Sequence, residues 1–262
     1  MLVFIRTLIF ISLFSCSLSF ASQKLIFCYE LADYPPYINS LDPADNTTGY
    51  LNELISQTGN SLGIDIVFKR DSWGRCKKKV LDGSYHGLFA MIATPERSAQ
   101  FAFPQDALSA PSRYLWQVNY PIFYPKSKGL NLSSYPNQFS TGLGAPFGYV
   151  VHQILANKKL LTPHNYTAEE GLKLVAQGKL DGYVVESEIG KLILEKLGEI
   201  DRVDISEEII LTSYWFLPFS RQFYQENPEL VELFWTTLNK NRLAYRPVSR
   251  ADSGSSSPTS TN

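Results

Sequence analysis

The chain has 262 residues, 44% of them hydrophobic and 19% charged, with a formal net charge of −1. That length supports one large or two medium domains with real cores, and 15 Tyr, 16 Phe and 4 Trp exclude wholesale disorder. The near-neutral charge argues against the basic face of a nucleic-acid binder, and 3 Cys are too few for a disulfide scaffold.

Residues 1–21 read as a secretory signal: Arg6 is the lone positive charge, residues 8–14 are apolar, and Ser19-Phe20-Ala21 gives a small-x-small cleavage site. The apolar run is short and broken by serines, which argues against a membrane anchor. Leu13-Phe14-Ser15-Cys16 loosely resembles a lipoprotein cleavage box, the less favoured alternative. The mature chain is expected to be soluble and outside the cytoplasm. It keeps two cysteines, Cys28 and Cys76. In an oxidising compartment they are a pair by default, with two buried free thiols as the alternative.

Residues 25–29 form a short apolar strand, followed by a turn-rich stretch over 33–49. Leu51, Leu54, Ile55 and Leu62 share one helical face, and Gly63 stops that helix. Ile64, Ile66 and Phe68 alternate as a strand; residues 75–81 are a helix ended by Gly83, and 88–92 a buried strand. This βαβαβ order predicts a parallel sheet covered by helices. Val80, Gly83 and Gly87 recur as Val175, Gly178 and Gly182, each time as helix end, tight turn and buried strand. Two lobes on one plan would follow, with a ligand-sized cleft between them. The second lobe holds strands over 141–143 and 180–185 and helices over 149–157, 169–177 and 189–197. Residues 229–244 form a last amphipathic helix. The aromatic, β-prone stretches 114–122 and 211–219 read as crossing hinge segments. Domain boundaries are then 22–113 plus 214–246 for lobe 1 and 114–213 for lobe 2, with a disordered Ser-rich tail over 247–262.

Chemistry of other kinds is not signalled. His86, His152 and His164 are scattered without metal-ligand spacing and read as lone exposed side chains. No nucleophile elbow, zinc-protease helix or phosphate loop is present. Gly142-x-Gly144-x-x-x-Gly148 has the wrong spacing for a dinucleotide, though it could offer amides to an anion at a helix start. No catalytic residue, metal or cofactor is expected.

Several segments in order carry a resemblance. Tyr34-Pro35-Pro36-Tyr37, Gly49-Tyr50 opening a helix, Trp73, Gly83-x-x-x-Gly87, Thr94-Pro95-Glu96-Arg97 and Phe101-Ala102-Phe103-Pro104 together resemble the extracellular solute-binding proteins, family 3. These are the periplasmic binding components of polar amino-acid ABC importers. Trp73-Gly74-Arg75-Cys76 resembles the W-x-R-C branch of that family, which favours the Cys28–Cys76 bridge. The resemblance implies an α/β, two-lobed periplasmic binding protein type II fold, each lobe a mostly parallel sheet with flanking helices, joined by two hinge segments. It also implies a ligand-binding set of Tyr34, Trp73, Thr94, Arg97, Tyr149 and Glu186. Arg97 would grip a ligand carboxylate with a planar two-pronged donor. Tyr34 and Trp73 would sandwich the ligand body, Tyr149 would add a wall, and Glu186 would take an ammonium group.

The sequence departs from the family pattern at Ala90 and Ile92, where polar residues are usual, at Gly148-Tyr149 in place of Gly-Thr or Gly-Ser, and at Glu186 in place of Asp. These departures bear on the ligand more than on the fold. The function implied is a monomeric, non-enzymatic periplasmic protein that closes on a small, carboxylate-bearing ligand and delivers it to an ABC-importer permease. The rivals are a sensor presenting ligand to a membrane receptor, and a cyclohexadienyl-dehydratase-like enzyme on the same scaffold.

Overall fold

The structure, a computed structural model, describes residues 23–39, 49–130 and 140–245. The expected signal segment 1–21 and the tail 247–262 lie outside the described residues. The chain opens with β1 (Lys24–Glu30), in which Leu25, Phe27, Cys28 and Tyr29 are buried. Helix α1 (Tyr50–Leu62) buries Leu51, Leu54 and Ile55, as their spacing predicts. It ends at Gly63, which takes the left-handed conformation that glycine adopts without a Cβ penalty. Strand β2 (Asp65–Asp71), helix α2 (Trp73–Leu81) and strand β3 (Gly87–Leu88) follow, and β1 pairs parallel with both β2 and β3. The parallel βαβαβ core is therefore present.

The single strand expected over 88–92 is split. β3 joins the first sheet, whereas β4 (Met91–Ile92) joins the second. Ala90 between them has φ 61, so the chain turns through a left-handed residue and cannot continue as one strand. Helix α3 (Pro95–Gln100) then returns the chain to the first sheet at β5 (Phe101–Ala102).

The remaining strands are β6 (Trp116–Pro125), β7 (Leu143–Gly144), β8 (Gly182–Val184), β9 (Val203–Phe216) and β10 (Phe219–Ser220). The first sheet has the order β2-β1-β3-β10-β5 and the second β4-β9-β6-β8-β7. A mostly parallel second sheet was expected, but only β7 and β8 pair parallel in it. The cause is the pair of crossing segments. β6 and β9 run antiparallel from Trp116↔Trp215 to Pro125↔Val203 and make up the body of the sheet. Pro121 has no N–H for the ladder, the register shifts around it, and the N–H of Ile122 donates instead to Ser206 Oγ at 2.9 Å.

Helices α4 (Val150–Asn157), α5 (Ala168–Ala176) and α6 (Ser187–Leu197) cover the second sheet, and α7 (Arg221–Glu226) and α8 (Pro228–Ala244) complete the chain. The internal repeat has a structural counterpart. Val80 ends α2 and Val175 ends α5, both fully buried; Gly83 (φ 76) and Gly178 (φ 67) make the turns, and Gly87 and Gly182 begin β3 and β8. Among the described residues no helix is long and apolar enough to cross a membrane, and no cluster of His, Cys, Asp or Glu is arranged to hold a metal ion.

Two local readings change. His86 is half-buried rather than exposed, and its Nδ1 accepts the Ile26 N–H at 2.9 Å, pinning β1 to the turn before β3. The amides of Thr141 and Gly142 are taken by Asp181 Oδ2, at 2.6 and 2.9 Å, so their anion is internal. Of the two readings open for Cys28 and Cys76, the bridge is realised, with Cα atoms 5.5 Å apart between β1 and α2. Both are buried with Val80, Leu88, Met91 and Phe101. The bridge spans 48 residues, and constraining that loop in the unfolded chain is worth about 4 kcal/mol. Replacing both cysteines by alanine is expected to lower stability by about that amount in urea unfolding; an unchanged midpoint would mean the bridge does not constrain the chain.

Candidate ligand-binding site

A turn and a helix start position the first wall of the site. Tyr34 N–H donates to Ile38 O (2.8 Å) and Tyr37 N–H to Tyr34 O (2.9 Å), closing the Pro-Pro turn. The carbonyls of Pro36 and Tyr37 then accept the N–H groups of Tyr50 and Leu51, two of the donors that a helix start leaves unpaired. This close approach needs Gly49: its φ is 93, and a Cβ there would lie 2.4 Å from Tyr37 O. The Gly49-Tyr50 pair thus locks the turn that carries Tyr34 and Tyr37.

Thr94-Pro95-Glu96-Arg97 is a helix start as well. Thr94 Oγ1 accepts the Arg97 N–H at 3.2 Å and caps α3, with Pro95 in the first turn. Thr94 was expected to touch ligand; it does not line the cavity, and its hydroxyl orients the helix that presents Arg97.

The other five expected residues, Tyr34, Trp73, Arg97, Tyr149 and Glu186, line one cavity of about 40 Å³ between the lobes. Among the described residues three hydrogen bonds cross it. Arg97 Nη2 donates to Gly148 O (3.2 Å) while its Nη1 donates to Ile92 O (2.9 Å). Tyr149 Oη donates to Tyr34 Oη (3.2 Å), and Tyr37 Oη donates to Glu186 Oε1 (3.3 Å). Among the described residues no carboxylate forms an ion pair with Arg97. Burial draws its pKa down, but a guanidinium remains a cation.

Glu186 follows β8 and caps α6. Its Oε2 accepts the N–H groups of Glu188 (2.9 Å) and Ile189 (3.1 Å). It is a helix cap, but a buried one at 3% exposure rather than a solvated one. Burial pushes its pKa up to about 7, against the pull of those two amides and the Tyr37 hydroxyl. Burial also pushes Tyr34 up to about 12 and raises Tyr37, Tyr120 and Tyr149, so all four hydroxyls stay protonated.

Glu30, Tyr37, Tyr120 and Trp215 are among the lining residues that the sequence reading missed. Tyr120 lies on β6 and Trp215 on β9, with Trp215 Nε1 donating to Tyr120 Oη (3.0 Å) and the Tyr37 ring edge-on at 5.1 Å. The hinge strands therefore form part of the wall. Glu30 stands at the carboxyl end of parallel strand β1, a position that faces ligand clefts in α/β sheets and was the available signal. Tyr37 was inside a quoted motif, while nothing local distinguishes Tyr120 and Trp215 from core aromatics.

A family model of the bacterial extracellular solute-binding proteins, family 3, matches residues 26–243. The chain belongs to this family. A search of curated proteins gave no match. Among solved structures, a histidine kinase sensor domain with similarity to periplasmic binding proteins is 19% identical, with TM-score 0.65, covering 85% of this chain and 92% of its own. A substrate-binding protein of an ABC uptake transporter from Streptococcus pneumoniae, with bound histidine, is 14% identical, with TM-score 0.65 and coverage of 84% and 86%. An ancestral amino acid-binding protein, a precursor of cyclohexadienyl dehydratase, is 17% identical, with TM-score 0.64 and coverage of 83% and 88%. At these identities the likenesses establish the type II periplasmic binding fold for this solute-binding family member.

The site has a pH signature. The fold raises the Glu186 pKa from 4.5 to about 7, so it favours the protonated acid. That stabilisation is complete below about pH 4.5 and is lost as pH rises through about 7. The melting temperature of ligand-free protein is expected to fall by several degrees from pH 5 to pH 8, with a flatter profile for Glu186→Gln; identical profiles would place the Glu186 pKa near its ordinary value.

Proposed function

We propose that this solute-binding protein works in the periplasm after cleavage of its signal segment. There it captures a small polar ligand bearing a carboxylate, and its closed form delivers that ligand to the permease of an ABC importer. The observation that carries this reading is Arg97. It is a half-buried guanidinium in the cavity that, among the described residues, donates to two backbone carbonyls and has no carboxylate partner. A ligand carboxylate can exchange for those carbonyls with two parallel charge-assisted hydrogen bonds, which are stronger than the neutral ones they replace. Glu186 supplies the opposite charge for an ammonium or hydroxyl group, and Tyr34, Trp73 and Tyr149 supply flat walls. Because contacts from both lobes converge on the cavity, ligand favours the closed arrangement by population shift.

Two rival roles have a specific observation behind them. The sensor domain among the structural neighbours supports presentation of ligand to a membrane receptor by the same closure. A buried acid with a pKa of about 7 is suited to general acid work, which supports a dehydratase-like activity; product formation from prephenate or arogenate separates that activity from binding alone.

The test is thermal unfolding of refolded, ligand-stripped protein against amino acids, opines, dicarboxylates, polyamines and prephenate at about 1 mM. A ligand of about micromolar affinity adds about 4 kcal/mol at that excess, or several degrees. A carboxylate-bearing member is expected to raise the melting temperature of wild type and not of Arg97→Ala. A response confined to members without a carboxylate would overturn this assignment of Arg97.

A further inference from the structure

Helix α8 ends at the rim of the space between the lobes. Tyr245 leaves it in extended backbone, with φ −66 and ψ 130. The Tyr245 Oη donates to Glu53 Oε2 at 2.8 Å, and the ring lies 6.0 Å from that of Tyr50. Glu53 and Tyr50 both line a groove of about 1410 Å³ that leads out between the lobes. Tyr34, Trp73 and Tyr149 line this groove and the inner cavity alike, so the groove is the way in. The sequence after Tyr245 therefore starts on the first-lobe wall of the entrance.

That sequence and the groove are opposite in charge. Arg246-Pro247-Val248-Ser249-Arg250 carries two cations and no acid, and Pro247 lacks the N–H that a continued helix would use. Seven of the groove-lining residues are carboxylates and two are lysines. Both lysines are already paired, Lys191 with Glu188 and Lys196 with Glu169. Among the described residues Glu53 on α1 and Glu195 on α6, one on each lobe, form no ion pair. Phe147, on the second-lobe wall and 71% exposed, adds an aromatic face on which a guanidinium stacks. Five residues of extended chain reach about 17 Å, and a round space of the groove's volume is about 14 Å across. The segment is long enough to cross from one lobe to the other.

We propose that residues 246–250 of this chain dock in the groove as a strap. Arg246 sits beside Glu53 on the first lobe, and Arg250 reaches the carboxylates and Phe147 of the second. The strap covers the passage at Trp73 and ties the lobes to each other by charge. It is a gate built into the chain: in place while the groove is empty, and released when salt or an entering solute displaces its arginines. The strap is independent of what Arg97 binds.

The experiment places spin labels at Ser249→Cys and Lys173→Cys in the chain with its tail intact and no ligand added. Lys173 is exposed and lies one turn along α5 from Glu169. Double electron–electron resonance at about 10 mM NaCl should give one narrow distance, because charges there act over about 30 Å. About 1 M NaCl, which screens them within about 3 Å, should broaden it to the spread of a free chain. Arg246→Ser with Arg250→Ser should do the same at low salt. Glu53→Gln keeps an acceptor for Tyr245 while removing the charge, and should broaden the distance in part. The gate itself is read by acrylamide: the fluorescence that Trp73→Phe removes should quench more strongly once both arginines are replaced. A broad distance in wild type at low salt, or a narrow one that survives both salt and loss of the arginines, would overturn the proposal. So would a narrow distance lost on dilution into unlabelled chain, which assigns the strap to a second copy. Equal quenching of Trp73 with and without the arginines would overturn the gate.

Discussion

The structure turns on a guanidinium that, among the described residues, is held by backbone alone. Arg97 sits in the inter-lobe cavity with its two contacts at Ile92 O and Gly148 O, one on the strand that leads into α3 and the other at the start of α4. A half-buried cation with neutral acceptors is less well compensated than one with a carboxylate partner. The surrounding groups fit that imbalance. Glu186, the carboxylate that meets Tyr37 across the cavity, is shifted so that its charge is only partly developed near neutral pH. The tyrosine hydroxyls stay protonated and neutral. In the proposed function a zwitterionic or carboxylate-bearing solute would supply the countercharge that the protein withholds, and binding energy would thereby depend on closure.

The hinge strands explain how a site of this kind is kept both rigid and mobile. β6 and β9 pair over most of their lengths, and they place Tyr120 and Trp215 on the cavity wall, so a twist of this ribbon moves cavity-lining side chains directly. The register shift around Pro121 divides the ribbon into a part flanked by β4 on β9 and a part flanked by β8 on β6. Such breaks let a sheet bend locally without melting its flanks. Ala90, in the left-handed conformation, is the third crossing point and lies on the cavity wall. Strain of this kind persists where surrounding packing fixes it, and it clusters at functional sites.

Much of this was legible in the sequence because it rests on local rules. The spacing of Leu51, Leu54 and Ile55, the glycine stops at Gly63 and Gly83, and the repeat pairing Val80-Gly83-Gly87 with Val175-Gly178-Gly182 depend on helix and turn geometry alone. The Thr94-Pro95 cap marks where Arg97 would stand, although the Thr94 hydroxyl is used inward. What escaped depends on long-range pairing. The split of 88–92 is set by which sheet each half joins, and no residue type announces a left-handed alanine. The antiparallel character of the second sheet follows from β6 meeting β9 across 78 to 99 residues of chain, and Asp181 claims the Thr141 and Gly142 amides from about forty residues away. Tyr120 and Trp215 look like core aromatics until that pairing turns them toward the cleft.

Small-angle X-ray scattering of ligand-stripped protein, alone and saturated with a solute that raises its melting temperature, tests closure on Arg97 most directly. A smaller radius of gyration on saturation in wild type, with no contraction in Arg97→Ala, is the predicted result. An unchanged radius in wild type despite a clear rise in melting temperature would contradict it, because the solute would then be binding without bringing the two lobes together.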